Sequence, residues 1–425
     1  MVVQKKDFCN PVFVAVFIIL VLIYGKIINV PDKNSLKTIA PLKDIVEIEG
    51  ILMSSPVKVS SGKYYSSSIS TNVINSVNNI KSTSTGIINI MIPSEIVESY
   101  LPGKLYTYGT HISEAALWEK GGAYYVSGKV INNIFYVSEL KKYDFSKIRI
   151  QKLWKFRALK RLQFKRLMYS WQDAGGFFLA LITGAREYTE QTLKDGFRDA
   201  GISHILALSG MHLSLFSGLV MFVSSKLKRK RLSLAIQLIT IFFFVWFAGF
   251  SPSLMRAFIC NIMILIANVS NIESPDMKIV LSCSFLLQLM ISPLDYNNAG
   301  FLLSYGALAG IILFNDFFYS RYSLFIPKRI SSSLAASTSA QITTIPLSLA
   351  LFSGFSPFGI FATLIISPLV TIFIYTGIVL FIMSLIIPGF SDTSGIIMNF
   401  LYTIIKFIVI FFANLPGVKI ESSRL

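Results

Sequence analysis

Apolar runs near 20 residues long recur from Gly175 onward, with few polar residues between them. A run of that length crosses a hydrocarbon core of about 30 Å as an α-helix. Composition agrees, because 53% of the residues are apolar and 14% are charged, whereas soluble domains carry about 25% charge. The sequence therefore predicts a polytopic α-helical membrane protein and excludes soluble enzymes, disordered regulators and disulfide-stapled secreted modules. The predicted spans are 203–223, 232–250, 253–270, 278–293, 298–314, 332–353, 369–387 and 394–414.

Two further apolar segments are too short or too interrupted to cross a membrane. Residues 177–183 are too short, and residues 358–367 are cut off by Pro368. Both are predicted to be re-entrant or broken helices that line a cavity. Near the start of the chain, no small-residue cleavage site follows the apolar run 12–24, which indicates an uncleaved first transmembrane helix.

Residues 189–200 predict a short amphipathic helix between the segment 177–183 and the first span. Leu193 and Phe197 fall on one face of this helix, and Gly201 is placed to end it.

The region 40–142 differs in composition from the apolar segments, because short runs of β-forming residues alternate there with Gly, Asn, Ser and Pro. It is also nearly neutral, since residues 29–145 hold 11 basic and 10 acidic side chains. About five strands in about 100 residues are typical of a small OB-like barrel or a sandwich. The predicted strands are 45–52, 86–92, 104–112, 123–131 and 134–140.

The net charge of +17 is concentrated in two short stretches. One is the run 226–231. The other contains nine cations and no anion, and such a stretch attracts the phosphates of lipid or of nucleic acid. The nine cations are Lys147, Arg149, Lys152, Lys155, Arg157, Lys160, Arg161, Lys165 and Arg166.

Loop cations predict the orientation in the membrane. Lys5 and Lys6 place the N-terminus inside and the β region outside, and the runs 226–231 and 321–329 can then both be cytoplasmic if 177–183 does not span. On this topology the C-terminus returns outside. The predicted domains are a transmembrane helix (1–28), an extracytoplasmic β domain (29–145), a basic stretch (146–171) and a multi-helix membrane domain (172–418).

Two histidines and a Ser-Gly pair stand at the start of the first membrane span. About 12 Å of helical rise separates His204 from His212, too far to share one zinc ion unless the helix breaks at Ser209-Gly210. The third histidine, His111, belongs to the β region. The sequence therefore predicts no metal and no cofactor.

Three other roles for this segment stay open. Ser209 and His212 are three residues apart, which allows an intramembrane serine hydrolase with Asp199 as the orienting group. Ala207 and Met211 stand where a nucleophile elbow needs glycines, which argues against it. The small residues could instead permit close helix packing, or the polar groups could line a pore.

Arg256 is predicted about one turn inside the bilayer, because Ser251-Pro252-Ser253 begins the helix that carries it. An arginine at that depth must pair, face water or snorkel to the interface. The alternatives are a snorkelling side chain and a phosphate-contacting group in a channel mouth.

Small hydroxyl residues fill two further helices, around Ser304 and across 331–346. Either these helices interlock through hydrogen bonds or they form a wall of a wetted path. Gln341 is bulky for a packing motif, which favours the path.

A set of short strings occurs in a fixed order over residues 175–390. The strings are Phe197-Arg198, Gly201, Ser203-His204, Ala207, Ser209-Gly210, His212, Ser251-Pro252-Ser253, Arg256-Ala257, Gly300-Phe301, Leu303-Ser304, Gln341, Pro346 and Phe352. In order and in rough spacing they resemble the competence domain of the ComEC family of DNA-uptake channels. The β region is similar to the family's extracytoplasmic OB-like domain, most closely at residues 101–109.

The resemblance implies a channel, not an enzyme, that passes single-stranded DNA through the inner membrane during transformation. His204, Ser209, His212, Arg256, Ser304 and Gln341 would line the path or contact DNA. Expected partners are membrane lipids, a DNA receptor protein and a cytoplasmic ATP-driven translocase, and homo-oligomerisation stays open.

Three residues depart from the family pattern: Leu302 stands for Gln, Thr363 for Asn and Asp199 for Thr. The H-x-H-x-D-H ligands of the larger relatives' metallo-β-lactamase-like domain are absent from this sequence, so the other DNA strand is expected to be degraded elsewhere. The main rival is a transporter of another anionic polymer or lipid.

Overall fold

The computed structural model forms two compact units, Pro31–Tyr169 and Ser170–Leu425 with the N-terminal segment. We call them the β unit and the membrane unit, and each is described by itself. The described residues are 16, 19, 36–38, 41–54, 56–59, 61–77, 81–98, 118, 121–144, 149–186, 188–224, 226, 230–270, 275–352, 354–387, 389–415 and 418–419.

The β unit is built on a closed ring of five strands. Strand β1 pairs with β3 and β6, β6 pairs with β7, β7 pairs in parallel with β5, and β5 returns to β3. This ring confirms the predicted OB-like barrel. The strands are β1 (Ile45–Leu52), β2 (Val57–Lys58), β3 (Tyr64–Ser76), β4 (Lys81–Thr83), β5 (Ile87–Pro93), β6 (Ala123–Ile131) and β7 (Ile134–Asp144), with the short helix α1 (Ser94–Glu98) between β5 and β6.

Two glycines allow the barrel to close. Pairing shifts register at Gly50 in β1 and at Gly128 in β6. A Cβ atom would lie 2.2 Å from the carbonyl oxygen of Ser70 at the first position, and 2.0 Å from that of Tyr136 at the second. Neighbouring backbones therefore approach where only glycine fits, and such bulges bend a sheet into a barrel. The interior is apolar, with Ile48, Ile69, Ile74, Ile90, Ile92, Val126 and Phe135 fully buried.

The strand predictions were right for β1, β5, β6 and β7, while the predicted strand 104–112 lies outside the described residues. The strand β3, the longest of the described strands, was not predicted from the sequence, because five of its 13 residues are serine. Its alternate residues nevertheless point inward, and Ser67 and Thr71 are buried on the same side as Ile69. The buried Ser67 donates a hydrogen bond to the carbonyl of Ser54 at 2.7 Å.

The basic stretch forms helix α2 (Arg149–Tyr169), which belongs to the β unit. The ring of Trp154 covers Gly121 so closely that a Cβ atom there would lie 2.7 Å from the indole. The guanidinium of Arg157 stacks over the same ring at 5.2 Å. One face of this helix is therefore packed on the barrel end.

Eleven α-helices of the membrane unit have described bounds, and a short 3-10 helix (Pro293–Asn297) lies between α9 and α10. Four of them, α10 to α13, are long and apolar enough to cross a membrane by length and composition. The helices are α3 (Gln172–Thr183), α4 (Gln191–Asp199), α5 (Ser203–Leu206), α6 (Gly210–Ser224), α7 (Lys230–Ala248), α8 (Pro252–Val269), α9 (Met277–Ile291), α10 (Ala299–Tyr322), α11 (Lys328–Phe352), α12 (Gly359–Ile386) and α13 (Phe390–Ala413).

Two predicted boundaries in the membrane unit were wrong. The span 203–223 is broken, because α5 ends before an extended residue, Ala207, and α6 begins at Gly210. The segments 358–367 and 369–387 form one continuous helix, α12, with Pro368 inside it. Ala362, Ile366 and Val370 are completely buried on either side of the proline, so tertiary packing holds the helix together despite the missing hydrogen bond.

The short helices agree with the sequence. Helix α3 is about 18 Å long, too short to span, and most of its residues are buried. In α4, Leu193 and Phe197 are fully buried, and Gly201 follows in the left-handed region with φ 73°, which confirms the amphipathic helix and its end. The ring of Phe177 lies 5.9 Å from that of Phe197 and 5.1 Å from that of Phe373 in α12.

Of the predicted first helix, only Val16 and Ile19 are described, both helical.

Helices α10 and α11 interlock through small residues. A Cβ atom on Gly310 would lie 2.3 Å from the carbonyl oxygen of Ser339, and the hydroxyl of Thr343 donates to the carbonyl of Gly306 at 2.8 Å. These contacts show that part of the hydroxyl-rich run 331–346 serves helix packing, the first of the two alternatives left open by the sequence.

Candidate functional site

The break between α5 and α6 is held in place by α8. The hydroxyl of Ser253, in the first turn of α8, donates to the carbonyl of Leu208 at 2.8 Å. Leu208 is buried, and its carbonyl has no helical donor at the break and no access to water. The Ser253 hydroxyl supplies the hydrogen bond that this buried carbonyl needs. The break therefore brings the starts of α6 and α8 together.

His212 lies in the first turn of α6 and is completely buried. Its Nδ1 accepts from the backbone N–H of Ser209 at 3.3 Å and lies 3.4 Å from the Ser209 hydroxyl. Since Nδ1 accepts, the neutral ring carries its proton on Nε2. Among the described residues, nothing accepts a hydrogen bond from Nε2.

Arg256 reaches the same place from the second turn of α8. Its Nη1 donates to the carbonyl of Ser304 in α10 at 3.0 Å. Its Nη2 lies against Gly210, where a Cβ atom would be only 2.9 Å away. No carboxylate in the described parts of the chain pairs with this guanidinium. We call Ser209, Gly210, His212, Arg256 and the Ser304 carbonyl the α6-start cluster.

A buried polar network lies next to this cluster, between α8, α9 and α10, and was not predicted from the sequence. Tyr305 donates to Gln288 at 3.1 Å and lies 3.3 Å from the Ser284 hydroxyl. The amide nitrogen of Gln288 bonds the carbonyl of Pro252 at 3.1 Å and Asp295 at 2.9 Å. The network ties α8, α9 and α10 together. A glutamine inside the apolar run 278–293 was the signal that could have revealed it.

The other two predicted path residues lie outside the α6-start cluster. His204 is exposed on the short helix α5. Gln341 in α11 faces Gly359, where a Cβ atom would lie 3.4 Å from Nε2 and 3.3 Å from the carbonyl oxygens of Ala200 and Gly201. Gln341 Oε1 is buried and has no donor in the described part of the chain.

The geometry argues against the hydrolase alternative. Asp199 pairs with its neighbour Arg198 at 3.2 Å, and it does not bond His212, whose Nε2 has no described partner. A triad needs a base oriented by a third group. Among the described residues, no group of three or more histidine, cysteine or acidic side chains could hold a metal ion.

A second ionic site lies in the membrane unit and was also missed. Lys406, inside α13, pairs with Glu190 at 2.6 Å, and the same carboxylate accepts from Tyr402 at 2.9 Å and from Thr192 at 2.6 Å. Lysines inside spanning helices are rare and signal a partner. Lys406 is the one charged residue in the apolar run 394–414, and this feature of the sequence could have predicted the site. It borders an open cavity of about 340 Å³ that Asp173, Asn399, Tyr402, Thr403, Lys406, Phe407 and Ile410 line.

The nine cations of the basic stretch do not form one exposed surface. Arg157 and Arg161 are 3% and 5% exposed, so they pack inside the β unit. Lys160 is exposed and Lys165 is half-buried. Lys147 lies outside the described residues, and nothing is described of the side chains of Arg149, Lys152, Lys155 and Arg166.

Comparison with known proteins gives one family and no solved structure. Residues 181–425 match the family model described as "Competence protein". The chain is 24% identical over 208 residues to ComE operon protein 3 of Bacillus subtilis, covering 49% of this chain and 26% of that protein. It is 25% identical over 224 residues to Recombination protein 2 of Haemophilus influenzae, covering 48% and 28%. The matched region thus spans little more than a quarter of each relative. No solved structure matches the chain.

Proposed function

This chain belongs to the Competence protein family, and we propose that it forms a membrane channel for single-stranded DNA during natural transformation. The observation that carries the proposal is the family match over residues 181–425, which contains the whole α6-start cluster. A cation in a membrane helix without a paired carboxylate suits a path for a polyanion.

In this proposal the protein sits in the inner membrane with the β unit outside. Cations of the basic stretch capture the DNA backbone, and each neutralised phosphate releases counterions. Lys160 and Lys165 belong to this group, whereas Arg157 and Arg161 hold α2 on the barrel. Residues 30–145 add only stacking from half-buried tyrosines such as Tyr64 and Tyr136, because the net charge of this part is close to zero.

The strand then passes along polar helices. Arg256 contacts backbone phosphates, and Ser209, His212, Ser304, Gln341 and His204 provide polar lining. No P-loop occurs in the sequence, so a cytoplasmic ATP-driven translocase pulls the strand and a DNA receptor delivers it. Conduction requires contacts weak enough to release each phosphate.

A deletion strain tests the function. Transformation by linear marker DNA should fall to the background of spontaneous resistance, and plasmid-borne expression of the chain should restore it. Electroporation of the same DNA serves as the control, because it bypasses uptake but still requires recombination. Normal transformation in the deletion strain, together with a changed envelope lipid or polymer, would establish the rival transporter instead.

A further inference from the structure

Positive charge converges at the start of α6 without a compensating anion. The first backbone N–H groups of a helix have no intrahelical acceptor and carry the positive end of its dipole. The guanidinium of Arg256 lies directly against this end, with Nη2 beside Gly210. Like charges repel in a site of low dielectric, and no acidic side chain of the described residues pairs with Arg256. An anion bound beside the guanidinium and the helix start would offset this repulsion.

Residues of the α6-start cluster also carry hydrogen-bond donors that have no acceptor among the described residues. The Nε2 of His212 and the Nε of Arg256 are both buried, and neither has an acceptor in the described part of the chain. The hydroxyl of Ser251, which precedes the first turn of α8, is buried without a partner as well. Buried donors are normally satisfied. What these donors lack is an acceptor with several lone pairs.

We propose that the α6-start cluster is a binding site for one phosphodiester group, formed by the N-terminus of α6 and the guanidinium of Arg256. A phosphate oxyanion matches a helix N-terminus and a planar guanidinium together. Such contacts read the backbone and not the bases. The site thus accepts any sequence, as a conduit must. This inference rests on the proposed function for its ligand, while the anion site itself rests on the geometry.

Gly210 has a defined role in this site. It lets the guanidinium sit against the helix start, where a Cβ atom would lie 2.9 Å from Nη2 and 3.2 Å from the Cβ of Ala257. The nearer obstacle is the tip of a flexible side chain. Gly210→Ala should therefore displace the guanidinium, while the contact with Ala257 requires α8 to shift by only a few tenths of an ångström. Gly218→Ala in the same helix is the matched control, because its Cβ atom would meet nothing within 4 Å.

The test uses the purified full chain in lipid nanodiscs and a fluorescent abasic deoxyribose-phosphate oligomer, which presents phosphodiesters without bases. Fluorescence anisotropy gives its Kd, and the basic stretch contributes equally in every variant. Arg256→Ala should weaken binding about tenfold, Arg256→Lys less because the ammonium lacks the planar fork. Gly210→Ala should weaken binding several-fold, and Gly218→Ala should bind like the wild type. His212→Ala should weaken binding modestly, since it removes one neutral donor.

The outcomes separate this inference from the proposed function. Unchanged oligomer binding by well-folded Arg256→Ala and Gly210→Ala proteins would overturn the anion site, even if the deletion strain fails to transform. Weakened binding in both variants alongside normal transformation of the deletion strain would keep the site and refute DNA uptake. If Arg256→Ala does not fold, the comparison of Gly210→Ala with Gly218→Ala decides alone: equal affinities refute the site.

Discussion

Glu47 in the β unit and the α6-start cluster in the membrane unit differ in how their polar side chains are satisfied. In the β unit, Glu47 is surrounded by donors from three other strands: Lys141, Tyr125 and Asn75. In the membrane unit, His212 and Arg256 each keep a buried donor without a described acceptor. A polar group satisfied by its own chain stabilises the fold, whereas an unsatisfied one is costly and persists where a ligand completes it. At these two sites, the difference separates a carboxylate that its own chain satisfies from donors that the proposed phosphate would satisfy.

The largest expected effect follows from removing the cation of the α6-start cluster. Arg256→Ala should lower the transformation frequency per molecule of this protein in the membrane by about tenfold to a hundredfold. This range corresponds to the free energy of one charge-assisted hydrogen bond. Arg256→Lys should lower it partially. Membrane abundance should stay near normal, because the Ser304 carbonyl that Arg256 contacts lies inside the helical ladder of α10 and keeps its backbone partner. The measurement is transformation frequency divided by immunoblot abundance.

Two outcomes would break the contrast at this position. A normal frequency per molecule in Arg256→Ala would rule out the phosphate-contact role. Scarce protein with normal uptake per molecule would show that Arg256 holds helices together. Its role would then be structural, like that of Lys141, which pairs with Glu47 in the β unit.

The next effect concerns DNA binding by the β unit with and without the basic stretch. Residues 30–145 should bind a single-stranded oligonucleotide weakly, because their net charge is close to zero. Extension to residue 171 should tighten binding about tenfold and steepen its salt dependence. Fluorescence anisotropy over a salt series measures both quantities.

Charge reversal within α2 provides the control for this comparison. Lys160→Glu with Lys165→Glu should remove much of the gain, since these side chains reach solvent. Arg157→Gln should instead lower stability, since Arg157 is buried over Trp154. Equal binding by the short and long segments would show that the basic stretch is not the capture element and lies on anionic lipid.

How far the sequence predicts this molecule depends on the range of the contacts involved. The barrel strands β1 and β6 and the helix α4 follow from local alternation and periodicity, so their bounds were predictable. The strand β3 was not, because serine is common in loops and its inward direction is set by pairing partners. The contact between Arg256 and Ser304 joins residues 48 positions apart, and the break before α6 depends on Ser253 reaching Leu208. Their residue types identified these side chains as functional candidates, but only the tertiary structure shows which of them are in contact.

A moderate effect on stability is expected at the second ionic site. Lys406→Ala should lower the free energy of unfolding of the full chain by about 1–2 kcal/mol, because it leaves the half-buried carboxylate of Glu190 without its cation. Uptake per molecule should stay near normal, since this pair lies outside the α6-start cluster. Thermal unfolding in detergent and the transformation assay measure the two quantities.

Thr403→Ala is the control, as its hydroxyl bonds only the Asn399 carbonyl of its own helix. The double variant Glu190→Gln with Lys406→Met should recover part of the lost stability, because neither charge is then stranded. Normal stability with lost uptake in Lys406→Ala would place this site on the transport path instead.

The smallest effect is the pH dependence of the β unit. The ion pair with Lys141, followed by hydrogen bonds from Tyr125 and Asn75, lowers the pKa of the Glu47 carboxyl from 4.5 to about 2. A lowered pKa in the folded state means that the ionised carboxylate stabilises the fold above pH 4.5, and that this contribution disappears as the pH falls toward 2. Glu47→Gln should therefore lower the denaturant midpoint of residues 30–171 at pH 7, and the gap from the wild type should close between pH 4.5 and 2. Glu49→Gln on the same strand, where the side chain is exposed, should leave the midpoint unchanged. Tryptophan fluorescence follows unfolding, and a gap that persists undiminished at pH 2 would show that Glu47 acts through shape and not charge.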